Sequence, residues 1–89
     1  MAIALSIWIQ DDGHFYHNGI FLNTNSYTKE GLGYLILAFD RNWGIKPEIR
    51  PVSGKANQFR LFISAKYLKQ IQELTKEYIT NSMLYKIGL

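Results

Sequence analysis

The chain has 89 residues, of which 47% are hydrophobic, 15% aromatic and 19% charged, and it has no cysteine. This is the make-up of one small globular domain spanning residues 1–89, near the size at which a single core suffices, and it excludes a disulfide framework and a thiolate metal site. A net charge of +3 permits a polyanionic partner, and no apolar run reaches the roughly 20 residues needed to span a bilayer, so no membrane partner is expected.

The opening "MAIALSIWIQ" lacks the basic start and cleavage pattern of a secretory signal. It predicts a helix over Ala2–Asp11 that is apolar on nearly every side, as in helices buried against another copy or another domain. Gly13 is expected to stop it in the left-handed conformation. The adjacent acids Asp11 and Asp12 then sit at the partial negative end of the helix, a cost of roughly 0.3–1 kcal/mol each at an exposed site. A bound divalent cation would compensate that charge.

"FYHNGIFLNT" follows, two β-rich runs around Asn18-Gly19, a strong hairpin signal. Pairing across that turn puts Phe15, His17, Ile20 and Leu22 on one face, and His14, Tyr16, Phe21 and Asn23 on the other. His14 and His17 have no third ligand at metal-binding spacing. A second helix starts at the N-cap Thr28 with Glu30 in its first turn, presents Leu32, Leu35, Ile36, Phe39 and Trp43, and ends at Gly44. "IKPEIRPV" then alternates Ile45, Pro47, Ile49 and Pro51 against Lys46, Glu48 and Arg50, and its prolines demote it to an edge or irregular position. After the "SGKA" turn, "NQFRLFIS" sets Phe59, Leu61 and Ile63 inward and Gln58 and Arg60 outward. Ser64 caps a third helix with the face Leu68, Ile71, Leu74 and Tyr78. The order is αββαββα, an α+β fold with a four-stranded antiparallel sheet and helices on one face.

The open face of that sheet would carry Tyr16, Asn23, Lys46, Arg50, Gln58 and Arg60. Amides and guanidinium groups suit base edges in a DNA major groove, and lysines and arginines neutralise phosphates. The same alternation also describes a sheet face that is simply solvated.

"LSIWIQDDG" resembles the second, divergent copy of the LAGLIDADG motif in monomeric homing endonucleases, commonly "LAYWFMDDG". Further segments agree in order: "GIFLNTNSYTKE" is similar to "SIVLNTQSFTKEE", the second helix and "FRLFIS" follow, and "SMLYKIG" is similar to the closing "PxMxYKL". The resemblance spans essentially the whole chain and implies a LAGLIDADG half-domain.

By that resemblance Asp12 is the acid that binds divalent cations, Mg²⁺ in particular, at the scissile phosphates. Asp11 falls at a variable position whose backbone carbonyl reaches the metal, and Lys86 is the basic residue lining the active site. Asn23, Asn25 and Ser26 fall on or beside the DNA-facing hairpin. The implied chemistry is metal-dependent hydrolysis of DNA phosphodiesters, with no covalent nucleophile. The family packs two such helices together, so Leu5, Ser6, Trp8 and Ile9 are expected at an interface with a second LAGLIDADG half or a second copy.

The chain departs from the family at Ser6, Ile7 and Asn81, and it contains one motif. A second class therefore stays open: a LAGLIDADG fold reused to bind structured RNA without cutting, as an intron maturase or within a larger ribonucleoprotein such as an organellar ribosome. Abundant isoleucine, asparagine and lysine suggest an AT-rich coding genome, and so the mitochondrion or another organelle.

Overall fold

The structure, a computed structural model, describes residues 2–24, 28–52, 54–55 and 58–89. Helix α1 spans Ala2–Asp12, strands β1 and β2 span Gly13–Tyr16 and Gly19–Leu22, and helix α2 spans Lys29–Trp43. Strands β3 (Glu48–Pro51) and β4 (Phe59–Ile63) follow, then a short 3₁₀ turn, helix α3 (Leu68–Thr75) and a closing 3₁₀ segment over Asn81–Ile87. The sheet has four antiparallel strands in the order β1-β2-β4-β3. The αββαββα arrangement expected from the sequence is the one observed.

The β1–β2 turn is formed by His17 and Asn18, both with positive φ (47° and 63°), as a type I′ turn requires. Gly19 is therefore not a turn residue but the first residue of β2, paired with Tyr16. Packing demands glycine there, since a Cβ on Gly19 would lie 2.4 Å from Phe62 Cζ and 2.7 Å from the Ile63 carbonyl oxygen. His17 consequently leaves the inward face, while Phe15, Ile20 and Leu22 keep it.

Thr28 caps α2 as expected, its hydroxyl accepting from the Gly31 amide at 3.1 Å, and Gly44 ends the helix at φ 67°. Of the two placements its prolines allow, edge or irregular, β3 takes the edge. Two details at the third helix differ. Ser64 precedes a 3₁₀ turn and makes no side-chain cap bond, and Tyr78 is exposed because α3 stops at Thr75. Thr75 and Ile79 on either side of Tyr78 are buried. The core lies between the sheet and the helices, centred on Ile20, Leu22, Leu61 and Ile63 from the strands and Leu5, Ile9, Leu32, Phe39 and Ile71 from the helices.

The inner side of α1 also corrects an expectation. Leu5, Ser6 and Ile9, expected at an interface, are buried inside this chain. Ser6 is sequestered by donating to the Ala2 carbonyl at 2.7 Å. The apolar residues that α1 leaves exposed are Ile3 and Ile7, at 54% and 53%. Trp8 is half-buried, its ring 5.9 Å from that of Phe39, and it lines a shallow groove between α1 and α2.

Candidate nucleic-acid interface

Asp11 and Asp12 are both exposed at the end of α1, and the last turn of that helix has no basic residue. Part of the compensation comes from far along the chain. Lys86, in the closing 3₁₀ segment, donates its ammonium hydrogen to the Gln10 carbonyl oxygen. The Gln10 amide reinforces the same junction: its Oε1 accepts from the Thr80 amide at 3.1 Å and its Nε2 donates to the Tyr78 carbonyl at 3.4 Å. A cation at a helix C-terminus is favourable because it faces unsatisfied carbonyls.

Gly13 is not a left-handed stop. It opens β1, and glycine is required because a Cβ would meet the Ile9 carbonyl oxygen at 2.5 Å. The chain therefore passes directly from helix into sheet. The Asn23 amide, just beyond β2, donates to the Asp12 carbonyl at 3.2 Å and ties the helix end to the hairpin.

Asp12 thereby stands at the rim of a concavity of about 310 Å³, which it lines with His14, Phe21, Asn23, Val52 and Arg60. A second concavity of about 510 Å³ adjoins it along the open face, lined by His14, Tyr16, Phe21, Arg50, Pro51 and Arg60. His14, Phe21 and Arg60 form the wall between the two.

That wall rests on a row of aromatic rings. The Tyr16 and Phe21 centroids are 5.7 Å apart, and those of Phe21 and Phe62 are 4.6 Å apart. Arg60 Cζ lies 3.9 Å from the Phe21 centroid, and Arg50 Cζ lies 4.6 Å from the Phe62 centroid. The two arginines face each other directly across β3 and β4. Like charges in that position repel. Each is offset by its ring, an attraction of about 0.5–1 kcal/mol at exposed sites and more when desolvated. Arg50 is further paired with Glu48, whose Oε1 accepts from its Nε at 3.2 Å and its Nη2 at 3.0 Å. Both side chains are exposed, so that pair adds little stability.

Of the residues expected from sequence, Asp12, Asn23 and Arg60 come together at one concavity, and Tyr16 and Arg50 join them at the next. Lys46 is exposed ahead of β3 and lines neither. Gln58 is half-buried, its carbonyl accepting from the Val52 amide at 2.9 Å. Asp11 and Lys86 border the helix end without lining the Asp12 concavity. Asn25 and Ser26 lie outside the described residues. Sequence reasoning missed His14, Phe21 and Phe62. The available signal was Phe21, a large apolar residue falling on the otherwise polar face of the hairpin.

Among the described residues there is no group of three or more His, Cys, Asp or Glu side chains placed to hold a metal ion. The carboxylate lining the concavity is that of Asp12, with the side chains of His14 and Asn23 beside it. That is not a closed cage, but it fits Mg²⁺, which keeps several waters and is bound through one or two carboxylates together with phosphate oxygens.

Comparison with known proteins agrees with this architecture. The chain is 31% identical over 86 residues to the cytochrome b mRNA maturase bI2 of Debaryomyces hansenii, covering 97% of this chain and 32% of that protein. It is 28% identical over 86 residues to the intron-encoded endonuclease ai4 of Dictyostelium discoideum, covering 97% of this chain and 54% of that protein. The chain thus spans only part of the length of the curated relatives it matches. Among solved structures, the homing endonuclease I-WcaI bound to its DNA recognition sequence superposes with a TM-score of 0.84 at 23% identity, covering 94% of this chain and 39% of that one. The profile of the LAGLIDADG DNA endonuclease family matches residues 1–71. With four-fifths of its length inside that profile and its fold shared with a homing endonuclease, the chain belongs to the LAGLIDADG DNA endonuclease family.

Proposed function

We propose that this chain is one half of a homing endonuclease, laying its open sheet face in a DNA major groove and hydrolysing phosphodiesters at Asp12 once a second LAGLIDADG helix packs beside α1. The observation that carries the reading is continuity. The acid at the helix end and the basic, aromatic sheet face line adjoining concavities with a common wall. A groove held on that face would run past Asp12. Exposed Ile3 and Ile7 on α1 supply apolar surface for a companion helix, and the greater length of the relatives is consistent with a companion half.

Each residue then has a task. Asp12 would hold Mg²⁺, which when bound would supply the Lewis acidity that phosphodiester hydrolysis needs. Arg50 and Arg60 bind along the duplex. Asn23 fixes Asp12 through its amide, and Lys86 with Gln10 holds the end of α1 in place. Relatives named as cytochrome b mRNA maturases support a place in the mitochondrion or another organelle. Relatives named as mRNA maturases favour a second reading, in which the same face holds structured RNA and nothing is cut.

The test is cleavage of a randomised duplex library, with the chain alone and with a second LAGLIDADG half from a relative. Asp12→Asn removes the charge that holds the cation and is expected to abolish Mg²⁺-dependent cutting while leaving duplex binding in place. Asp11→Asn is expected to be milder. Equal loss from both, or cutting without metal, would reject the assignment. Tight RNA binding with no duplex preference would establish the second reading.

A further inference from the structure

Arg50 and Arg60 face each other across two strands, yet their donors are in different states. Glu48 takes both Nε and Nη2 of Arg50. Among the described residues nothing accepts a hydrogen bond from the Arg60 guanidinium, and its Nε is buried with no partner. Among the described residues the two terminal amino groups of Arg60 are without an acceptor, and the residue lines both concavities. The guanidinium is held over Phe21, with Cζ 3.9 Å from the ring centroid, and Phe21 packs in turn against Phe62 at 4.6 Å.

A planar pair of N–H donors fixed in direction matches two acceptors side by side. Guanine O6 and N7 supply such a pair in the major groove, and so do two oxygens of one phosphate. Position and charge favour the base. β4 is an inner strand, flanked by β2 and β3, so on a duplex laid along this face Arg60 would lie nearer the floor of the groove than its rim. Glu48 and Asp12 lie along the same face and oppose a phosphate near Arg60, whereas a neutral base edge meets no such penalty.

We infer that Arg60 is the specificity-determining residue of the sheet face, reading one guanine through O6 and N7, and that Phe21 is the positioning residue that aims it. The inference rests on the DNA reading above. An arginine on a flexible stem loses rotamer freedom on binding, whereas one already stacked on a ring has lost it beforehand, which sharpens discrimination between base pairs.

Selection from a randomised duplex library tests this with the wild-type chain, Arg60→Lys and Phe21→Leu. The wild type is expected to enrich guanine at one position, and both variants to lose that preference by roughly 5- to 150-fold while keeping preferences elsewhere. 7-Deazaguanine at that position, which lacks the N7 acceptor, is expected to weaken wild-type binding roughly tenfold and to leave Arg60→Lys unchanged. A merely structural role for Arg60 would not produce that difference. In the DNA-free chain the Arg60 Nε–Hε resonance is expected to be shifted by the ring current of Phe21; a random-coil shift would overturn the positioning role even if Phe21→Leu does not fold. Uniform weakening across all sequences with a shallower salt dependence would identify a phosphate contact and overturn the guanine assignment alone. A wild-type chain that enriches no duplex would overturn the DNA reading and the inference with it.

Discussion

The Lys86 ammonium rests on a carbonyl at the end of a helix that carries two acids and no base in its last turn. Hydrogen bonds to charged groups contribute about 1.5–3 kcal/mol each, and the helix dipole adds to the attraction. Lys86→Met keeps the length of the stem and removes the charge, so it is expected to lower stability by roughly 1–3 kcal/mol, read as an earlier urea midpoint at unchanged slope. A lysine serving only chemistry would leave the midpoint where it is. The position of Asp12 at the end of α1 was legible because its motif is local and its glycine follows directly. The Lys86 bond was not, because it joins residues 76 positions apart and no periodicity reports such a pair. Gly13 was misread for a related reason. A helix-stopping glycine and one forced by close approach look alike in sequence, and the nearby Ile9 carbonyl decides between them.

At the scale of elements, two glycines separate packing from propensity. Gly19 lies where β2 passes under the Phe62 ring, and a methyl group there has nowhere to go. Gly19→Ala is expected to cost about 1–3 kcal/mol as overpacking. That corresponds to a melting temperature lowered by about 4–8 °C per kcal/mol in a domain of this size. Gly33, inside α2, has nothing within 4 Å of a built Cβ, so Gly33→Ala is expected to raise stability by about 0.5–1 kcal/mol through helix propensity. Thermal melts of the two variants should move in opposite directions. The elements themselves were mostly readable. The N-cap Thr28, the stop at Gly44 and the prolines of β3 act through local rules. Which side of α1 faces inward was not readable, because a helix apolar all round has no pattern to show it. Leu5, Ser6 and Ile9 were assigned outward, and only the packed sheet reveals that they face in.

At the scale of the molecule, a sheet covered by helices on one side leaves two different surfaces. The open face carries arginines and aromatic rings. The helical side leaves Ile3 and Ile7 of α1 exposed, and Tyr34 and Leu37 of α2 at 75% and 63%. Burial of apolar area contributes about 25 cal/mol per Å², so α1 has reason to acquire a partner. Sedimentation at micromolar concentration is expected to show self-association, or complex formation with an added LAGLIDADG half, that Ile7→Lys abolishes without changing the far-ultraviolet spectrum of the chain. A wild-type chain that stays monomeric in both settings would count against pairing through α1.

The edges of the sheet have a bearing on whether one chain can add strands to another. β1 ends one side after only four residues, and β3 ends the other with Pro51 in the strand, Pro47 just ahead of it and the charges of Glu48 and Arg50 between. Short, proline-broken, charged edges make poor templates for a further strand. Growth of the sheet by edge-to-edge addition of further strands is thereby discouraged on both sides.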